Sequence, residues 1–133
     1  MFAAVVDTHG LVWYLAQDSR LSPDARAFMD NSAQKGKRIG FSSISLVEMV
    51  YLIERSRIPV ESLSRLAAAI ASPRSLLTEI PLDIEIVRAL TRIDSTQIPE
   101  MPDRIIAATA AYLRVPLISR DTRIQSSGLK TIW

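Results

Sequence analysis

Four acids stand where apolar segments give way to helices or turns: Asp7 after Phe2 to Val6, Glu48 after Ile39 to Ser45, Asp103 after Pro102, and Asp121 after Pro116 to Ser119. At corresponding ends of a parallel sheet they would converge on one small pocket. Carboxylates packed that closely repel, so they share protons or are neutralised by a cation, and a hard divalent metal is the usual answer. Each acid also has a bland reading. Ser45 to Glu48 fits a capping box, with the glutamate reaching back to the Ser45 amide. Asp103 beside Pro102 reads as a first-turn acid facing the helix dipole, Asp7 as a cap for the first helix, and Asp121 as the start of a turn. Caps alone do not require all four to lie at one edge of the sheet.

Arg104 adds to the case, because a cation in the first turn of a helix opposes the dipole and implies a negative neighbour. His9 is the single histidine, which excludes dyads needing two and reads best as a polar residue in a first helical turn. Gly10, Gly36, Gly40 and Gly128 are scattered, with no glycine-rich phosphate loop.

The elements that must carry these acids alternate along the chain. Ala3 to Val6 is a β-branched run leading into a helix over Leu11 to Ala16, capped by Asp7 or Thr8. Ser22, Pro23 and Asp24 announce a second helix that ends near Gly36. Ile39 to Ser43 reads as a strand and Ser45 to Arg55 as a helix. Pro59 opens a helix to about Ala71, Leu76 to Leu82 contributes a short strand, and Asp83 begins a helix to about Ile93. Arg104 to Leu113, apolar nearly all round, predicts a helix buried on most sides. Leu117 to Ser119, a helical turn over Asp121 to Gln125, and Lys130 to Trp133 as a last strand complete the pattern. Such alternation predicts an α/β fold of three layers, a mainly parallel sheet of four to five strands flanked by helices. Ligands on such sheets bind at the carboxyl ends of strands, where Asp7 and Asp121 fall.

Composition sets the remaining bounds. The 133 residues suit one domain, and 48% apolar with 23% charged residues excludes a disordered chain. With no cysteine there is no disulfide, thiolate metal site or cysteine nucleophile. The start lacks a signal-peptide pattern and no apolar stretch spans a bilayer, so the expected location is the cytoplasm, without membrane association. Net charge is only +2, but thirteen of the sixteen cations are arginine, which donates bidentately to phosphate. A local acidic pocket in a positive field suits a phosphate-bearing ligand bridged by a metal.

Helices rich in apolar residues point to partners. Leu11 to Leu15 and the run from Leu46 to Ile53 leave no clean polar face, which predicts an exposed patch used for self-association unless both helices are sandwiched within the fold.

The motifs Val5, Val6, Asp7, Thr8, His9 with Leu11 and Trp13, then Ser43, Ile44, Ser45 leading to Glu48, Pro102 to Ala110, and Pro116 to Asp121 resemble a PIN-domain ribonuclease over residues 1–133. More closely, the chain is similar to the VapC toxins of bacterial toxin-antitoxin pairs. The resemblance implies a Mg2+- or Mn2+-dependent endoribonuclease whose catalytic and metal-binding acids are Asp7, Glu48, Asp103 and Asp121. It places Ser119 as a small hydroxyl near the site and Thr8 as a residue that orients Asp7. It implies a homodimer, a VapB-like antitoxin that blocks the pocket, and transfer, ribosomal or messenger RNA as substrate. Where the family often carries an aspartate just ahead of Asp103, this chain has Glu100, Met101 and Pro102. Two other folds that gather acids at a sheet edge fit less well: a phosphoacceptor receiver wants a lysine after a late strand, and a dehalogenase-like phosphatase wants an aspartate where His9 stands. A PIN nuclease of RNA processing or decay, or a non-catalytic binding module, are the alternatives.

Overall fold

The computed structural model describes all 133 residues. Five strands, β1 (Phe2–Val6), β2 (Arg38–Ser42), β3 (Leu77–Ile80), β4 (Leu117–Ile118) and β5 (Thr131–Ile132), form one sheet in the order β3-β2-β1-β4-β5. Every pairing is parallel. The expected mainly parallel sheet is therefore wholly parallel and has five strands. Seven helices connect or flank them: α1 (Thr8–Leu15), α2 (Pro23–Gln34), α3 (Ser43–Glu54), α4 (Ser62–Ala71), α5 (Ile84–Leu90), α6 (Met101–Leu113) and α7 (Thr122–Gln125). No helix is long and apolar enough to cross a membrane.

The pleat sends successive side chains to opposite faces, and the core divides accordingly. Ala4, Val6, Ile39, Phe41 and Ile118 point into a core shared with Leu11, Trp13, Met29, Met49 and Leu66. Val5, Ile80 and Leu117 point the other way, against Ile86, Ile106, Ala110 and Ile124. Thus α1, α2 and α4 cover one face and α5 and α6 the other. The strands buried on both sides read as continuous apolar runs for that reason. Gly40 leaves room for the neighbouring strand's side chain: a Cβ there would meet Ile80 Cδ1, which would have to swing aside.

Helix starts follow their caps. Asp7, Ser22, Ser42, Asp83 and Asp121 each accept from a backbone N–H in the first turn of the following helix. Several boundaries differ from the sequence expectation. Ser42 rather than Ser45 caps α3, which begins two residues early, and α6 starts at Met101 with Pro102 in its first turn. The α4 helix begins at Ser62, after a turn that follows Pro59, with no side-chain cap.

The two apolar helices part company. In α1, Leu11, Val12 and Trp13 are buried, so that helix is sandwiched within the fold. In α3, Met49 and Leu52 face inward, but Val47 (63% exposed), Val50 (44%) and Tyr51 (51%) leave one apolar side uncovered.

Candidate active site

All parallel strands point the same way, so the loops after β1, β2 and β4 and the start of α6 meet at one edge. A cavity of about 380 Å³ lies there, lined by Asp7, Glu48, Asp103 and Asp121 together with Glu100, His9, Trp13 and Arg120. The four acids singled out in the sequence are thus brought to one pocket.

Each is held differently. Asp7 caps α1, its Oδ1 accepting from the Gly10 amide at 2.8 Å. A Cβ at Gly10 would lie 2.8 Å from Val6 Cγ2 and 2.9 Å from Asp7 Oδ1, so only glycine allows that approach. Asp121 caps α7, accepting from the Arg123 and Ile124 amides at 2.8 and 3.4 Å. Glu48 stands on α3 one turn inside the helix, and Thr8 donates to its Oε1 at 2.5 Å. Since the Thr8 hydroxyl has one proton, the buried Ser45 hydroxyl, 2.9 Å away, must donate to Thr8 in turn. Asp103 sits in the first turn of α6, and no hydrogen bond contributes to its electrostatics.

These contacts correct two readings. Ser45 is not a cap, and Glu48 does not reach back to its amide: a tertiary hydrogen bond across 37 residues claims the Ser45 side chain. Thr8 orients Glu48 rather than Asp7. Beside Asp7 the hydroxyl is that of Ser119, which also accepts from the Asp121 amide at 3.1 Å and so ties two acids together.

The electrostatics are those of an unneutralised acid cluster. Burial pushes the Asp7 carboxyl up to about 6, against the Ser119 hydroxyl and Gly10 amide, which favour the ionised form; the Asp121 charge raises it further. Desolvation also pushes Asp103 up to about 6, followed by repulsion from Asp121, Glu48, Asp7 and Glu100. Glu48 is raised, by desolvation first. Partial burial holds His9 below its ordinary value, with the cations Arg120 and Arg20 adding to the effect and Glu48 opposing it.

The donor set fits a hard divalent cation: several carboxylates, no thiol, and free oxygens on Glu48, Asp103 and Asp121 beyond those used in hydrogen bonds. As they stand, no three acids are drawn into a set that could hold an ion, so ligation requires their side chains to turn inward.

Residues 4–128 match the family described as PIN domain. The chain belongs to the PIN domain family. Among the solved structures to which this PIN domain is similar in fold are three at 15–21% identity. They are VapBC2 from Rickettsia felis bound to a DNA fragment from its promoter (TM-score 0.68, 17% identity, 96% of each chain covered), a toxin-antitoxin complex from Klebsiella pneumoniae (0.63, 21%, 98% of this chain and 96% of that one), and FitAcB from Neisseria gonorrhoeae (0.62, 15%, 96% and 95%). No curated protein matches the sequence.

Four residues of the pocket escaped the sequence reading in this role. Glu100, at the N-cap of α6 with no side-chain capping bond, supplies a fifth acid just ahead of Asp103. His9 is exposed in the first turn of α1, as expected, yet it lines the PIN pocket, and Trp13 follows one turn later. Arg120 adjoins Asp121, the only local signal it gave. Arg104, by contrast, makes no ion pair, and its Nε is buried without a partner; it does not line the pocket.

Proposed function

We propose that residues 1–133 act as one PIN domain, a Mg2+- or Mn2+-dependent endoribonuclease of the VapC type working in the cytoplasm. The observation that carries this reading is the convergence of Asp7, Glu48, Asp103 and Asp121 on one pocket in which Asp7 and Asp103 are pushed up to about 6. Such an arrangement is electrostatically unfavourable until a cation enters. The family and the fold shared with toxin-antitoxin proteins support the same reading.

Asp7, Asp103 and Asp121 would hold the cation, with Glu48 as a fourth donor or the group that orients water. A divalent metal in this setting supplies charge neutralisation at the scissile phosphate and acidifies water. The chain's own part is to anchor one oxygen of each of three acids by a hydrogen bond, leaving the other oxygens to turn toward a cation. Asp7 is pinned by Gly10 and flanked by Ser119, Asp121 by its own helix, and Glu48 by the Thr8 and Ser45 hydroxyls. Glu48 keeps Oε2 free of protein hydrogen bonds, open to a cation or to a water. Transfer, ribosomal or messenger RNA is the substrate class. A homodimer through the exposed Val47, Val50 and Tyr51 side of α3, and a VapB-like antitoxin that covers the pocket, belong to this reading.

The test is cleavage of a structured RNA pool by purified protein with Mg2+ or Mn2+, beside Asp103→Asn and an EDTA control. Metal-dependent cutting that the variant loses is the expected result. No cutting, with no metal binding by calorimetry, would favour the second reading, a non-catalytic interaction module, to which the separation of the acids gives some weight. A monomer by light scattering at micromolar concentration would remove the dimer.

A further inference from the structure

Arg120 stands between Ser119 and Asp121 and is exposed beside a cluster of acids. An arginine so placed would ordinarily close a charge-assisted pair with one of them. It does not. No ion pair includes Arg120. Its guanidinium carbon instead lies 4.6 Å from the centroid of the Trp13 ring. That ring is a fixed shelf: Trp13 is 4% exposed and packs on Trp133 with centroids 5.9 Å apart.

Arg20 lies over the same ring at 5.2 Å, but Asp18 neutralises it at 2.7 Å. Of the two cations on Trp13, only Arg120 is without a carboxylate. A second cavity, of about 370 Å³, shares His9, Trp13 and Arg120 with the acid pocket and continues past Arg20 to Arg57. Arg57 is exposed and forms no ion pair either. The acid pocket therefore adjoins a cationic groove, with Arg120 lining both.

A single strand carries one phosphate per nucleotide, so a strand with its scissile phosphate among the acids must lay the neighbouring phosphate outside them. We propose that Arg120, held off the carboxylates by the Trp13 ring, binds the phosphate next to the scissile one in single-stranded RNA, and that the strand continues toward Arg57. Trp13 is the positioning residue for this contact. The inference rests on the nuclease reading of the acid pocket and adds to it the direction in which substrate leaves.

The test measures binding of a single-stranded 2′-O-methyl RNA by fluorescence anisotropy across a salt series with Mg2+ present, and cleavage of the unmodified strand. Arg120→Ala should weaken binding about tenfold, lower the salt slope by about 0.7, the value for one phosphate contact on a single strand, and raise KM while kcat stays near wild type. Arg120→Lys should keep the slope but recover only part of the affinity, because the charge remains while the planar fork is lost. Trp13→Leu should weaken binding when Arg120 is present and add nothing in the Arg120→Ala background, a coupling that general loss of structure would not produce. Lys37→Ala, at the opposite end of the sheet, should leave slope and KM unchanged.

Because Arg120 is exposed, its variants keep the core intact and decide the question even if Trp13→Leu fails to fold. An unchanged slope and KM in Arg120→Ala, from a wild type that binds and cuts, would overturn this inference alone. A fall in kcat at constant KM would also overturn it, by moving Arg120 onto the scissile phosphate. A wild type that neither binds nor cuts would overturn the nuclease reading, and this one with it.

Discussion

The two ends of the sheet carry opposite charge, for one shared reason and one that is not shared. At the carboxyl edge stand Asp7, Glu48, Glu100, Asp103 and Asp121, around the starts of α1, α3, α6 and α7. At the amino edge, a cavity of about 430 Å³ beside the starts of β1, β4 and β5 is lined by Lys35, Lys37, Arg114 and Lys130 and by no acid. Lys35, Lys37 and Lys130 are all the lysines of the chain. Lys35 and Arg114 are the C-cap residues of α2 and α6. Helix N-termini favour anions and C-termini cations, so both ends obey the dipole. The amino edge stops there, with exposed and solvated cations. The carboxyl edge goes further, since burial and mutual repulsion push Asp7 and Asp103 up to about 6 in spite of the favourable dipole. A surplus of charge beyond what the helices call for separates a site from a row of caps.

Substitutions that remove the surplus should therefore separate activity from folding. The largest effect is expected from Asp103→Asn or Asp7→Asn, which should lower RNA cleavage by about two orders of magnitude or more while circular dichroism stays native. Neutralising Lys35 and Lys37 together should leave cleavage within about twofold, since affinity for a single strand follows the number of phosphates that cations engage, and none is assigned to this edge. Equal losses at both ends would break the contrast.

Gly10→Ala comes next. The added methyl meets Val6 and Asp7 below contact distance, so unfolding in urea should show a loss of about 1–3 kcal/mol, with cleavage reduced because Asp7 is displaced. An unchanged midpoint would mean that α1 can shift without cost.

An effect of similar size and opposite sign is expected from Asp7→Asn on stability. The folded carboxyl titrates near 6, against an ordinary 3.8. The ionised form is thus disfavoured in the folded state, and that cost is present above about pH 6 and is relieved as pH falls toward 4. Asparagine caps a helix as well as aspartate does. In EDTA at pH 7 the variant should be more stable than wild type by about 1–3 kcal/mol, and the difference should shrink toward zero near pH 4. Comparing the two proteins at each pH cancels the contribution of His9, whose lowered value runs the other way. A variant less stable than wild type at pH 7 would show that the Asp7 charge is already neutralised.

The smallest effect belongs to the amino edge. Lys35→Glu puts an anion at the C-terminus of α2 and should lower Tm by about 2 °C, by differential scanning calorimetry. No change would make those lysines matters of solubility alone.

The order of strands and helices was legible because each parallel strand is an apolar run and most helices open on a side-chain cap. The acids were legible for the same reason, as Asp7 and Asp121 stand at those boundaries. Ser45 was misread because Ser42, Ser43 and Ser45 all suit a helix start locally. The choice among them is made by Thr8, 37 residues away, which engages Ser45 and leaves the cap to Ser42. His9 and Trp13 share one side of α1, but nothing local ties them to Glu100 or Arg120, which join them only when the chain folds. The uncovered side of α3 was half legible: the sequence shows two apolar helices, and only packing shows that α1 is enclosed while α3 is not.

Asp7 serves the fold through an oxygen that accepts the Gly10 amide and would serve catalysis through its negative charge. Asparagine retains the first property and lacks the second. A single transition in the first base of the codon makes that exchange, so a population carrying this gene has a one-step route to a full-length, folded and silent protein.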